Sequence, residues 1–171
     1  MKTGKFLAKQ QPDISELFEK HIHARYIKIV LITVAGEWGM GNGIWKILYD
    51  RAASVRNERK LSPLMEIGSV GAAVLSAAGN IYTGICIDTA CGMGMCAERN
   101  AIANMLTCGE DQIVKVVAVM PDGSTGTPCG VCREFMMQLG ENSADIEILL
   151  SLEPLKTIKL GAQLPDWWGN K

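Results

Sequence analysis

Two well-separated segments, Cys96-Ala97-Glu98 and Pro128-Cys129-Gly130-Val131-Cys132, constrain this chain more than any other feature. Their thiols act together only in a fold that brings two distant stretches to one point. Three thiols make a soft donor set suited to zinc. Cys129 and Cys132 stand at i and i+3, which places them on one face in the first turn of a predicted helix, and Cys96 stands at the predicted start of another. A helix N-terminus favours negative charge, so both positions help to keep thiols ionised. Two facing helix starts then supply three ligands and leave a fourth position for water, the pattern of catalytic rather than structural zinc. Glu98 is the natural proton carrier beside such a water: it can take a proton from it and pass it to a ring nitrogen and a departing amine. Arg99 is expected to donate to the thiolates and offset their charge, or to be a solvated helix residue. Two other readings stay open. One is a closed structural site with Cys86 or Cys91 as fourth ligand; the other is a redox pair at Cys129 and Cys132.

The segments around these motifs alternate in period. Residues 70–76 and 80–87 read as strands joined by a turn at Ala78-Gly79. Ala97, Ala101, Ile102, Met105 and Leu106 mark one face of a helix that starts near Cys96. Residues 113–120 form an apolar run typical of a buried strand, 129–139 a second helix, and 146–152 a further strand. Such alternation predicts an α/β layer structure, a sheet covered by helices.

The first forty residues differ from the rest. Ile14, Leu17, Phe18 and Ile22 predict a helix with Asp13 as its cap, and 26–35 predict a strand. Gly36, Gly39, Gly41 and Gly43 then mark a boundary. Residues 1–40 are expected to be an N-terminal extension or leader, with the domain over 41–171. Met40 is a candidate internal start, because a helix with Ile44, Ile47, Leu48 and Val55 on one face follows it. His21 and His23 are expected on the surface of the first helix, not as ligands.

Composition excludes several function classes. The chain has 171 residues, of which 48% are apolar, enough for a core. The formal net charge is −1, so the cationic footprint that long nucleic acid requires is missing. The longest apolar run, 29–35, is too short to span a bilayer. The opening residues are mixed and charged, unlike a secretory signal. The six cysteines are therefore expected to be reduced thiols in the cytoplasm.

With CAER at 96–99, PCGVCR at 128–133 and VGAAVLSAAGNIYTG at 70–84, the chain resembles the cytidine deaminase family. The resemblance implies a three-layer α/β/α fold around a mixed five-stranded sheet, one zinc per subunit and a homotetramer. It also implies hydrolytic deamination of a free nucleoside, cytidine or deoxycytidine, since cysteine rather than histidine precedes Ala97. Cys86, Asp88, Ala97 and Trp168 are the implied substrate contacts, with Trp167 second to Trp168 as the aromatic that reaches a neighbouring subunit's site. The departures fall on the sugar and base contacts. The family's Asn-x-Glu reads Cys86-Ile87-Asp88, its base-stacking aromatic reads Gly68, and the loop 89–95 (TACGMGM) is rich in glycine and methionine. They leave room for a second reading, deamination of a modified aminopyrimidine nucleoside such as blasticidin S. A non-catalytic zinc module is a third.

Overall fold

The structure, a computed structural model, describes residues 42–170. The helix and strand expected within 1–40, the start at Met40, and His21 and His23 lie outside them.

Helix α1 (Asn42–Ser54) opens the described chain, followed by strands β1 (Arg59–Ser62), β2 (Met65–Ser76) and β3 (Ile81–Thr89). Helix α2 (Ala97–Thr107) leads to β4 (Ile113–Val119), the short β5 (Thr125–Gly126) and helix α3 (Gly130–Met137). Strands β6 (Glu147–Ser151) and β7 (Lys156–Lys159) complete the sheet, and a 3-10 turn at Trp168–Asn170 ends the described chain. All seven strands among the described residues belong to one sheet. Strands β3, β2, β4, β6 and β7 lie side by side in that order, the expected five-stranded path. The sheet is mixed because β4 and β6 run parallel while the other neighbours run antiparallel.

The central strands are apolar on both faces, which is why they read as unbroken runs rather than alternating ones. Ala73, Val117, Val119 and Leu149 face one way and bury against Trp45, Leu48 and Ala52 of α1. Ala72, Val74, Val116, Ala118 and Ile148 face the other way and meet Ala101, Ile102 and Met105 of α2 and Cys132 and Met136 of α3. Helices thus cover both faces, as the α/β/α reading requires.

Three details differ from the sequence reading. The buried stripe of α1 is Trp45, Leu48 and Ala52. Ile44 and Ile47 sit only half-buried, and Val55 lies past the helix end. Leu106 is 40% exposed on the outer side of α2. Strands β1 (RKLS) and β7 (KTIK) have no apolar alternation because they are mostly exposed; β7 is an edge guarded by lysines.

Helix α2 is locked onto β3 by two devices. A Cβ on Gly84 would lie 2.2 Å from the Ala101 amide nitrogen and 2.6 Å from the Ala97 carbonyl oxygen, so helix and strand touch backbone to backbone. Asn100 and Asn104 then donate from Nδ2 to the carbonyls of Ile85 and Thr83 at 3.0 and 3.3 Å. Replacing Gly84 by alanine should push α2 off the sheet and cost about 2 kcal/mol or more in denaturant unfolding. Gly140→Ala, where a Cβ meets nothing within 4 Å, should stay within about 0.5 kcal/mol. Equal effects would contradict the close approach.

Candidate active site

Both helix starts on the α2/α3 face are occupied by cysteine. Cys96 is the N-cap of α2 (φ −66°, ψ 153°) and Cys129 that of α3 (φ −67°, ψ 168°). An N-cap residue has extended backbone and usually turns its side chain back onto its own helix. Neither thiol does so, and each points off its helix end towards the other. Cys132, in the first turn of α3, is buried below them. The Cys96 and Cys129 sulfurs are 3.6 Å apart, as are those of Cys129 and Cys132. All three sulfurs lie within 4.8 Å of one another.

This donor set fits zinc. Two sulfurs each about 2.3 Å from a tetrahedral ion stand roughly 3.8 Å apart. Without a metal, burial overrides the ionisation expected of the helix starts at two of the three thiols. Burial raises the Cys96 pKa, helped by its bond with Cys129. Burial also raises that of Cys132, with the charges of Glu98 and the other two thiols adding to it. The Cys129 thiol is lowered: burial opposes ionisation, but the N–H groups of Cys132 and Val131 and the neighbouring thiols outweigh it. Three thiolates cannot crowd together alone, and a divalent cation removes the conflict. Among the described residues Cys86, Cys91 and Glu98 are not part of the ligand group, which counts against a closed four-cysteine site. The equal spacing of a third sulfur counts against an isolated redox pair.

Glu98, the second residue of α2, is 5% exposed. Burial raises its pKa, opposed by a backbone N–H, the Cys132 thiol and the charge of Arg99. Arg99 donates from Nη2 to the Gly94 carbonyl at 3.2 Å, so its guanidinium braces the loop before Cys96. Donation to a sulfur is not among its hydrogen bonds within the described residues; its Nε is buried without a partner, as is that of Arg133 beside Cys132. The loop 89–95 folds back on itself: Ile87 and Met95 exchange backbone hydrogen bonds of 2.8 and 2.9 Å.

A pocket of about 480 Å³ opens above this group, with Glu98, Cys96 and Cys129 in its lining. Cys86, Asp88 and Ala97, which the sequence reading assigns to substrate contacts, are in its lining too. The Cys86 thiol is engaged within the wall, however. It accepts the Val70 N–H at 3.3 Å and shares a 3.1 Å hydrogen bond with the Ser69 hydroxyl. Ser69 had no signal in the sequence; it matters because β2 bulges between Ile67 and Gly71, which turns its hydroxyl to Cys86. Gly68 sits in that bulge with φ +82°, and a Cβ there would lie 2.4 Å from the Asn57 carbonyl oxygen. The Asn57 N–H also donates to the Gly68 carbonyl. No side chain fits at 68, so an aromatic is excluded by the backbone and not merely absent. A second pocket of about 300 Å³, beside Asp111 and Glu141, holds none of these groups.

Trp168 is 63% exposed and lies outside the lining of the site pocket. Trp167 packs on the core. Both indoles donate to Glu134 of α3 at 2.9 Å, so the tail is pinned to the helix that carries two of the thiols. No helix among the described residues is long and apolar enough to cross a membrane.

Comparison with known proteins gives a consistent result. The family profile described as "Cytidine and deoxycytidylate deaminase zinc-binding region" matches residues 49–146. A cytidine deaminase of Mycobacterium tuberculosis is 30% identical over 102 residues, covering 59% of this chain and 73% of that protein. A cytidine deaminase of Shewanella baltica is 32% identical over 105 residues, 60% of this chain and 32% of that protein. The crystal structure of cytidine deaminase from Mycobacterium tuberculosis superposes with a TM-score of 0.61 at 26% identity, covering 73% of this chain and 97% of that one.

Two outcomes follow from this geometry. Cys129→Ala should lose zinc and thermal stability together, read by metal analysis and melting, because metal binding and folding are linked. A stable variant that still holds about one zinc per chain would contradict the ligand set. The second outcome concerns the tail. Hydrogen bonds from Gln138 and from the Trp168 and Trp167 indoles hold the Glu134 carboxyl below its ordinary 4.5. Its contribution is therefore present above pH 4.5 and lost as pH falls through the lower native value. Tryptophan near-ultraviolet dichroism should change over that acid range, while Glu134→Gln should show the altered signal already at neutral pH. Identical acid profiles for both proteins would overturn the tether.

Proposed function

The chain belongs to the cytidine and deoxycytidylate deaminase zinc-binding family, and from that premise we propose that it hydrolyses the exocyclic amine of a free aminopyrimidine nucleoside. Cytidine and deoxycytidine are the first candidates, giving uridine or deoxyuridine and ammonia. The observation that carries this reading is Glu98, buried on the same helix start as Cys96, beside a three-sulfur group. The catalytic domain is assigned to 41–171, with 1–40 as an extension or leader.

Cys96, Cys129 and Cys132 would hold the zinc. Bound there, zinc supplies Lewis acidity that lets water ionise near neutral pH. Glu98 receives the proton of the attacking water on its carboxylate and delivers it to the ring nitrogen next to the amine-bearing carbon. The remaining proton of that water, now on the hydroxyl attached to the ring carbon, then passes through Glu98 to the amine; the carbonyl forms as the C–N bond breaks and ammonia leaves. Burial makes this carboxyl a stronger base than an exposed one, which suits it to take up and return a proton. Ala97 is the first residue of α2, so its N–H has no partner within the helix. It is assigned to orient the base. Arg99, through its unpaired Nε, is assigned to offset the thiolate charge. Trp168 is assigned to a neighbouring copy's site in a homotetramer. A cytoplasmic location fits reduced thiols, all six of which are free.

One observation favours the second reading, a modified aminopyrimidine nucleoside such as blasticidin S. The wall offers neither an aromatic at Gly68 nor a free polar group at Cys86.

Ammonia release on cytidine, deoxycytidine and blasticidin S tests the proposal, with Glu98→Gln as the control. The variant should keep its zinc while kcat falls about a thousandfold on whichever substrate is used. Zinc-loaded protein that turns over none of them, or a Glu98→Gln variant within about tenfold of the unaltered enzyme, would contradict it.

A further inference from the structure

The site pocket is electrostatically one-sided. Of the described residues that line it, Asp88 and Glu98 carry carboxyls, and no lysine, arginine or histidine is among them. The two occupy different depths. Glu98 is buried beside the thiols, whereas Asp88 stands exposed near the end of β3. Both carboxyls line the same pocket, so a substrate that places its amine at Glu98 shares that pocket with Asp88.

The rest of the wall does not compete with Asp88. Cys86, two residues earlier on the same face of β3, spends its thiol on Ser69 and Val70. In the cross-strand row that contains Asp88, Glu66 stands opposite it and Lys60 beyond. Lys60 is paired to Glu66 at 3.3 Å, so that row carries one net negative charge. The Asp88 carboxylate has no ion pair or hydrogen bond among the described residues.

We propose that Asp88 is a specificity residue that selects nucleosides bearing a cationic group, an ammonium or guanidinium, on the side away from the base. The inference rests on the deaminase reading and narrows it. An exposed carboxylate gives a ligand cation a modest attraction that salt screens, enough to rank substrates that differ in charge at one end. A phosphate in the same place meets only negative charge.

The test compares kcat/KM of the zinc-loaded full chain for cytidine, 5′-amino-5′-deoxycytidine and cytidine 5′-monophosphate. The amino nucleoside should exceed cytidine by about twofold to fivefold, and the monophosphate should fall below it. The amino-to-hydroxyl ratio should approach one in Asp88→Asn, persist in Asp88→Glu, and shrink as salt is raised. An amino-to-hydroxyl ratio of one or less in the unaltered enzyme, or a ratio unmoved by Asp88→Asn, would overturn the proposal. Failure of the deaminase reading is separately visible as zinc-loaded protein that turns over none of the three. Calorimetric binding of the same nucleosides then decides. Tighter binding of the amino compound, lost in Asp88→Asn, upholds the selection; equal or absent binding overturns it.

Discussion

The three sulfurs of this chain come together because two helices begin at the same place, and much of this fold serves to bring that about. The sulfurs of Cys96 and Cys129 meet at 3.6 Å from two different N-caps. Each helix must therefore be held in position along its own axis as well as packed sideways. For α2 this is done by the side-chain-free contact at Gly84 and by two asparagines that cap carbonyls of β3. For α3 it is done by the burial of Cys132 and Met136 beneath the sheet face and by the tryptophan tail bonded to Glu134. Hydrophobic burial sets the layers, but these polar and steric contacts set the register of the helix ends, and the site depends on register.

The zinc group was legible in the sequence because its geometry is local. A spacing of i to i+3 from a helix start fixes Cys129 relative to Cys132 wherever the helix lies. Cys96 and Glu98 are fixed to each other in the same way. The long-range step, which start faces which, came from the family resemblance and from the alternation of helices and strands. The central strands were readable because both their faces are buried and apolar. Strands β1 and β7 were not, since exposed segments such as RKLS and KTIK pair by backbone alone and leave no pattern in their side chains.

The substrate wall shows the limit more sharply. Gly68 and Cys86 read as single replacements in a known pattern. The structure joins them in one local arrangement: a bulge in β2 turns Ser69 onto Cys86, and the backbone of Asn57 fills the space next to Gly68. Contacts between a loop backbone and a positive-φ glycine depend on how α1 hands the chain to β1, and no residue pattern encodes that. The chemistry at the floor of the pocket and the recognition at its rim are thus specified at different levels. Helix-start spacing sets the first, and tertiary accommodation sets the second.

X-ray absorption at the zinc edge of the purified protein tests the central claim most directly. Three sulfur scatterers at about 2.3 Å and one lighter oxygen or nitrogen scatterer at about 2.0 Å are predicted, the signature of an ion held by Cys96, Cys129 and Cys132 with one position open to water. Four sulfurs, or a first shell without sulfur, would contradict the account.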